Sequence, residues 1–206
     1  MKIESIKQGR YDKEKLVIRT ECGSYISARL DDAYKLRVGD EISCEKATEL
    51  ETKYNAEKAK KSAAKSLAHH SMSKNDLMKK LQSKGFSEEE SEKSADWFEE
   101  KGIIDDGAYA LSCAEYYVRR GYGRIRIREE LRRRGISNEL VEETVSELVF
   151  SEDEILELIQ KKLRGSDAAD EGVRRRLVAF LMRRGFKYDE IRAAMNSLQL
   201  TTEDMD

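Results

Sequence analysis

His69 and His70 are the only histidines in the 206-residue chain. Adjacent helical residues point about 100° apart, so the pair does not converge on one partner. They read instead as exposed side chains late in a helix, where partial positive charge suits the C-terminal dipole. Cys22, Cys44 and Cys113 are odd in number, widely spaced and without a CxxC spacing or a histidine neighbour. That argues against a disulfide framework or a zinc site and for reduced thiols in a cytosol. Gly121-Tyr122-Gly123 opens a helix but lacks the phosphate-cradling GxxxxGKS/T loop. The acidic pair Asp105-Asp106 falls at a helix start, where capping accounts for it. No catalytic residue, metal ligand or cofactor motif is expected, and the chain reads as a binding protein, not an enzyme.

What remains is charge. Between residues 119 and 134, eight arginines face only Glu129 and Glu130, a local charge of +6 in a chain whose net charge is −2. Residues 51–105 hold eleven lysines and no arginine, whereas residues 106–150 hold eight arginines and no lysine. A bias of the whole chain does not produce that division. Arginine presents a planar fork that meets carboxylates and phosphates through two parallel bonds. So many like charges repel unless a partner, or a third helix carrying carboxylates, relieves them.

On a helix over 123–134, at about 100° per residue, Ile127 and Leu131 define the core face. Arg128 and Arg132 fall on one flank and Arg126 and Arg133 on the other, with Ile125 and Glu129 outward between them. Arg124 and Arg134 sit near the buried stripe, where local pairing, snorkelling or a helix end suits them. Arg119 and Arg120 extend the patch across the Gly121–Gly123 turn. The candidate partner-binding residues are therefore Arg119, Arg120, Arg124, Arg126, Arg128, Arg132 and Arg133. Arg174, Arg175, Arg176, Arg183 and Arg184, with Lys161-Lys162, form a secondary basic surface that aligns with the first if the units stack as repeats do. Tyr116, Tyr117, Tyr122 and Tyr188 stand near basic residues, placed either to stack on bases or to pack in a core.

A helix-turn-helix reading competes, because Leu131-x3-Gly135-x5-Val141 and Leu181-x3-Gly185-x5-Ile191 have its turn spacing. In that motif the helix after the turn enters the major groove. Here residues 138–149 carry Glu139, Glu142, Glu143 and Glu147 and no basic residue, and carboxylates facing phosphates repel. Lys187, Arg192 and Asn196 of the later unit are opposed by Asp189 and Glu190. The positive charge lies before the turn, so the glycine pattern reports helix packing.

The elements that must hold this surface come from a repeat. Leu81-x3-Gly85-Phe86, Leu131-x3-Gly135-Ile136 and Leu181-x3-Gly185-Phe186 recur at a spacing of fifty residues. Ala95, Val145 and Met195 keep the same period, as do Phe98, Leu148 and Leu198. Each unit reads as three helices: 54–70, 74–84 and 88–101; 106–119, 123–134 and 138–149; 152–164, 171–184 and 188–199. Ser73 with Asp76, Ser87 with Glu90 and Ser151 with Glu154 have capping-box spacing. Gly85, Gly135 and Gly185 sit where a helix C-cap takes a left-handed residue.

Ahead of the repeats, residues 16–20, a turn at 21–24 and residues 25–30 read as a β-hairpin. Candidate strands at 3–6 and 41–44 flank it, with a short helix near 31–37 and a helical or loose connector at 46–55. The fold class is mainly α: three tandem three-helix repeats preceded by a small β-rich module. The division is a β-rich module at 1–50, helical repeats at 51–105, 106–150 and 151–200, and an acidic, frayed tail at 201–206. Charged and apolar residues each make up 39% and proline is absent, which suits several small helical cores better than one large one. No apolar run approaches the ~18 residues of a membrane span, and Met1 leads into Lys2-Ile3-Glu4-Ser5 rather than a signal-peptide stretch.

One family shares these features. Ile104-Asp105-Asp106, Tyr109-Ala110 and the run Arg120-Gly121-Tyr122-Gly123-Arg124-Ile125-Arg126-Ile127-Arg128-Glu129-Glu130-Leu131, leading into Arg134-Gly135-Ile136-Ser137, resemble the central repeat of the RecX regulatory proteins. Ser73-x3-Leu77-x3-Leu81-x3-Gly85-Phe86-Ser87 is similar to that family's first repeat, and 177–187 to a third, so the resemblance covers about 55–200. It implies an elongated, curved array of three-helix repeats in a cytoplasmic bacterial modulator of the RecA recombinase. It further implies binding in the groove of the RecA–DNA filament, with inhibition of ATPase and strand exchange. Arg126-Ile127-Arg128 and Glu130-Leu131 match the family pattern residue by residue; the binding roles of Arg119, Arg120, Arg132 and Arg133 rest on exposure and charge. The 1–50 extension lies outside the family's three-repeat core, and Ile125 points outward from the central helix. The expected partners are the RecA filament and single- or double-stranded DNA, with no membrane, and the expected state is a monomer. Direct, non-sequence-specific DNA binding is the alternative.

Overall fold

The computed structural model describes residues 1–150, 152–165 and 170–203, with backbone alone at 152 and 198–203. The chain forms two compact units, Met1–Ser71 with Leu77–Ile104, and Met72–Asp76 with Asp105 onward. In the first, β1 (Ile3–Gln8), β2 (Lys15–Thr20) and β3 (Tyr25–Arg29) make an antiparallel sheet in that order. Ile18 lies opposite Ile6 on one side and Ile26 on the other. Strand alternation sends Leu16, Ile18, Ile26 and Ala28 to one face, where they bury with Ile3 against Ala47 and Leu50. A three-stranded sheet with one apolar face needs a cover, and the start of the next long helix supplies it.

That helix, α2 (Cys44–Leu67), corrects two sequence expectations, after the four-residue α1 (Leu30–Ala33) that replaces the helix expected over 31–37. The strand expected at 41–44 reduces to a single bridge between Lys2 and Glu41. Ser43 caps the helix by accepting from Lys46 N at 3.1 Å, so Cys44 is its first residue. Of the two states expected for the connector at 46–55, helical or loose, the helical one forms: 44–67 contains neither glycine nor proline, and i,i+4 pairs such as Glu49–Lys53 favour an unbroken run. The helix stops at Leu67, so His69 and His70 lie exposed beyond its end rather than in its last turn. α3 (Lys74–Gln82) and α4 (Glu88–Glu100) follow, and Ser87 makes both halves of its capping box with Glu90.

The second unit contains two three-helix groups. α5 (Asp106–Arg119), α6 (Arg124–Arg133) and α7 (Asn138–Glu147) close over Ala110, Ala114, Ile127, Leu131, Ile136, Val141 and Val145. α8 (Glu152–Leu163), α9 (Glu171–Arg183) and α10 (Tyr188–Glu203) close over Ile155, Ile159, Leu177, Leu181, Phe186 and Ile191. The repeated Leu-x3-Gly ends α6 and α9 alike. Gly135 has φ +73°, its N–H donates to Arg132 O at 2.9 Å, and Ile136 N donates to Leu131 O at 3.2 Å. This paired bonding turns the chain and folds Ile136 back into the core. α10 continues to Glu203, so residues 201–203 are helical where a frayed tail was expected. Residues 204–206, Ser151 of the third capping pair and the Leu198 side chain lie outside the described residues. Among the described residues, no helix is long and apolar enough to cross a membrane.

Candidate functional site

The arginine helix α6 is seated by backbone before any side chain acts. Its N-cap, Gly123, has no side chain to cap with. Instead Gly123 N donates to Arg184 O at 2.8 Å and Ile125 N to Gly185 O at 3.0 Å, carbonyls that the end of α9 leaves free. The approach needs both glycines: a Cβ on Gly185 would stand 2.3 Å from Arg126 N, and one on Gly123 2.4 Å from Gly185 O. At the other end, Ser73 Oγ donates to Arg134 O at 2.6 Å and accepts from Asp76 N at 3.1 Å. α6 is thus held at both ends, with its phase about its axis set by Ile127 and Leu131, both 0% exposed.

Two clusters occupy the outer face. Glu130, 5% exposed, accepts from Arg126 Nη2 at 2.7 Å, from Arg133 Nη2 at 2.6 Å and from Tyr117 Oη at 3.3 Å. Burial pushes its carboxyl up, but the bonds and charge of Arg133, with Arg126 and Tyr117, outweigh burial and hold it below the ordinary carboxylate value. On the other flank Glu142 of α7 takes Arg128 Nε at 2.7 Å and Nη2 at 2.9 Å, a two-pronged bond, and Arg132 Nη2 at 3.0 Å. The Arg128 hydrogen bond is the main reason that Glu142, too, titrates below its ordinary value.

The remaining sequence candidates divide into surface and interior. Arg119 is 68% exposed and 3.6 Å from Glu115. Arg120 donates to Tyr116 Oη and lies over that ring at 5.4 Å. Arg124 is used internally: it donates to Leu148 O at 2.7 Å, lies 3.8 Å from Glu190 and covers the Phe150 ring at 4.6 Å. Arg134 donates to Tyr109 Oη at 3.0 Å and Tyr117 Oη at 3.1 Å. Of the secondary set, Arg176 and Arg183 are exposed, Arg174 is half-buried and Arg175 pairs with Glu171. Arg184 sits between the Tyr122 and Phe180 rings at 5.2 and 4.9 Å and donates to Arg120 O at 2.6 Å. Arg124 and Arg184 therefore join the helices of this unit rather than face outward.

Arg119, Arg120, Arg126, Arg128, Arg132 and Arg133 remain, met among the described residues by four carboxylates, Glu115, Glu129, Glu130 and Glu142. The +6 of the linear sequence becomes a surplus of two charges, with guanidinium donors still free. Side-chain exposure is 73% for Arg133, 47% for Arg132 and 45% for Arg126, against 25% for Arg128. Ile125, 42% exposed, stands among them as an apolar contact. The organising carboxylates were not singled out from sequence. Glu130 was findable, since it lies i+4 from Arg126 and i−3 from Arg133; Glu142 was visible only as part of an acidic helix. Among the described residues, no cluster of His, Cys, Asp and Glu could hold a metal ion.

Residues 105–145 match the model of the second three-helix domain of RecX, and residues 151–195 that of the third. Regulatory protein RecX of Pelodictyon phaeoclathratiforme is 34% identical over 160 residues, which are 75% of this chain and 98% of that protein. Regulatory protein RecX of Trichlorobacter lovleyi is 34% identical over 122 residues, 56% of this chain and 79% of that protein. A crystal structure of a regulatory protein RecX aligns with TM-score 0.70 at 21% identity, covering 95% of this chain and 98% of that one. RecX from Lactobacillus salivarius aligns with TM-score 0.64 at 20% identity, over 71% and 97% of the two chains. Both structural likenesses show the shared fold.

Proposed function

Because the chain belongs to the RecX family of regulatory proteins, we propose that it binds the filament of RecA recombinase on DNA and inhibits its ATPase and strand exchange. The main contact is the arginine surface of α5 and α6. The observation that carries this reading is the unequal match, among the described residues, of four carboxylates to six arginines, four of them on a helix pinned at both ends. A preorganised cationic surface loses little conformational freedom on binding, and each guanidinium keeps N–H donors for a carboxylate or a phosphate. The protein acts by occupancy, as a monomer in the cytoplasm: one molecule contacting neighbouring recombinase subunits favours the filament state that it fits. It performs no catalysis of its own.

The test is the combined variant Arg119→Gln/Arg132→Gln/Arg133→Gln. It removes three exposed guanidiniums yet leaves Arg126 on Glu130 and Arg128 on Glu142, so neither carboxylate is stranded. The concentration that half-inhibits filament ATPase is expected to rise about tenfold or more, at unchanged circular dichroism, if two or more charged contacts are lost. Wild-type inhibition by the folded variant would remove the arginine surface from the mechanism. Binding to naked duplex as tight as to filament, with an equally steep salt dependence, would favour direct DNA binding instead.

A further inference from the structure

Lys58, Lys61 and Lys65 stand at i, i+3 and i+7 of α2, on one helix face over about 10 Å of its length. They line an open groove of about 510 Å³, with Tyr11 of the β1–β2 loop at its mouth and Lys84 and Phe86 across from them. All of these residues belong to the first compact unit, whereas the arginine surface belongs to the second. The charge in the groove is only partly answered. Lys84 Nζ donates to two neutral hydroxyls, Ser62 Oγ at 2.9 Å and Ser66 Oγ at 3.0 Å. Lys58 Nζ lies over the Phe86 ring at 5.6 Å. Lys61 pairs with Glu14, and Asp12 is the other carboxylate on the rim. Tyr11 is 92% exposed, a flat ring beside the lysines, with Arg10 over it at 5.7 Å.

We infer that this groove is a binding site for single-stranded nucleic acid, with phosphodiesters on Lys58, Lys65 and Lys84 and a base stacked on Tyr11. The chemistry separates a polynucleotide from an acidic peptide. Lysine ammonium groups are point charges that hold a phosphate without the two-pronged geometry that arginine brings to a carboxylate. Flat aromatic faces beside them stack bases of any sequence, whereas an aspartate or glutamate side chain has no use for them. A row of cations along one helix face also tracks a backbone that carries one charge per nucleotide. This site goes beyond the filament contact proposed above and shares no residue with it.

The test uses the full chain and a fluorescein-labelled oligo-dT of about 12 nucleotides, within the usual span of such sites, followed by anisotropy across a salt series. Lys58→Gln/Lys65→Gln changes two exposed side chains and is expected to weaken binding about tenfold near 0.15 M salt. It should also flatten the log–log salt slope by about 1.4, at roughly 0.7 per lost phosphate contact. Tyr11→Ala is expected to weaken binding about fivefold with the slope unchanged, because stacking carries no counterion release. A lysine variant with wild-type affinity and slope overturns the inference, as does displacement of the oligonucleotide by polyglutamate at equal charge concentration. The arginine triple variant separates the two sites. Loss of oligo-dT binding in that variant alone defeats the groove and leaves the filament contact standing. Loss in the lysine variant alone supports the groove whatever the ATPase result.

Discussion

Glu130 is nearly buried and holds Arg126, Arg133 and Tyr117 at once. Glu130→Gln keeps its shape and removes its charge. A hydrogen bond to a charged group contributes about 1.5–3 kcal/mol, but both guanidiniums reach water, at 45% and 73% side-chain exposure, so much of that is screened. A net loss of about 1–2 kcal/mol at pH 7 follows. The pH dependence identifies the cause. A carboxyl held below its ordinary value in the folded state stabilises fully above its unfolded pKa near ~4.3 and loses that contribution as pH falls through the lowered folded value. The gap between wild type and variant should therefore be full at pH 7 and shrink below about pH 4. Function should move the other way, because the substitution frees Arg126 and Arg133 and adds one positive charge to the surface. Half-inhibition of filament ATPase should need about fivefold less protein, the effect of roughly one further charge contact near 0.15 M salt. Urea unfolding followed by circular dichroism at both pH values, with the ATPase titration, reads both effects. A destabilisation of the same size at pH 7 and pH 3, or none at either, would refute the charge argument.

Three further outcomes follow from local geometry. Gly185→Ala puts a Cβ 2.3 Å from Arg126 N at a residue whose φ is +87°, and is expected to lower stability by more than ~2 kcal/mol and loosen the start of α6, read as a lower melting temperature and faster amide exchange at Ile125. Ser73→Ala removes a fully buried hydroxyl that bonds both Arg134 O and Asp76 N, with an expected loss of about 1–2 kcal/mol by urea unfolding. The exposed Cys22 thiol is lowered to about 7, first by its bond to the Thr20 hydroxyl at 3.0 Å and then by Ser24, so iodoacetamide labelling of Cys22 should rise through neutral pH; Thr20→Val should move that midpoint upward, as mass spectrometry at a series of pH values would show.

The sequence by itself determined what depends on near neighbours along the chain. The fifty-residue recurrence of Leu-x3-Gly marks where helices end, because only a residue at ease with positive φ closes such a helix, and the leucine four residues earlier must be buried. Helix α5 occupies 106–119 as its capping residues dictate, and the separation of Arg128 and Arg132 from Arg126 and Arg133 follows from helical phase alone. Even the Glu130 pairing is local. Other features needed the fold. Glu142 reaches Arg128 and Arg132 only because α6 and α7 cross at a particular register, which a period in the sequence does not specify. Arg124 and Arg184 have the same side chain as Arg133, yet the meeting of α6 with the end of α9 draws them inward. The lysine groove gathers Tyr11, about two turns of α2 and Lys84 from distant stretches of chain. Side-chain type and helical phase are properties of a segment; which charges are answered, and which stay open to a partner, is decided when segments pack.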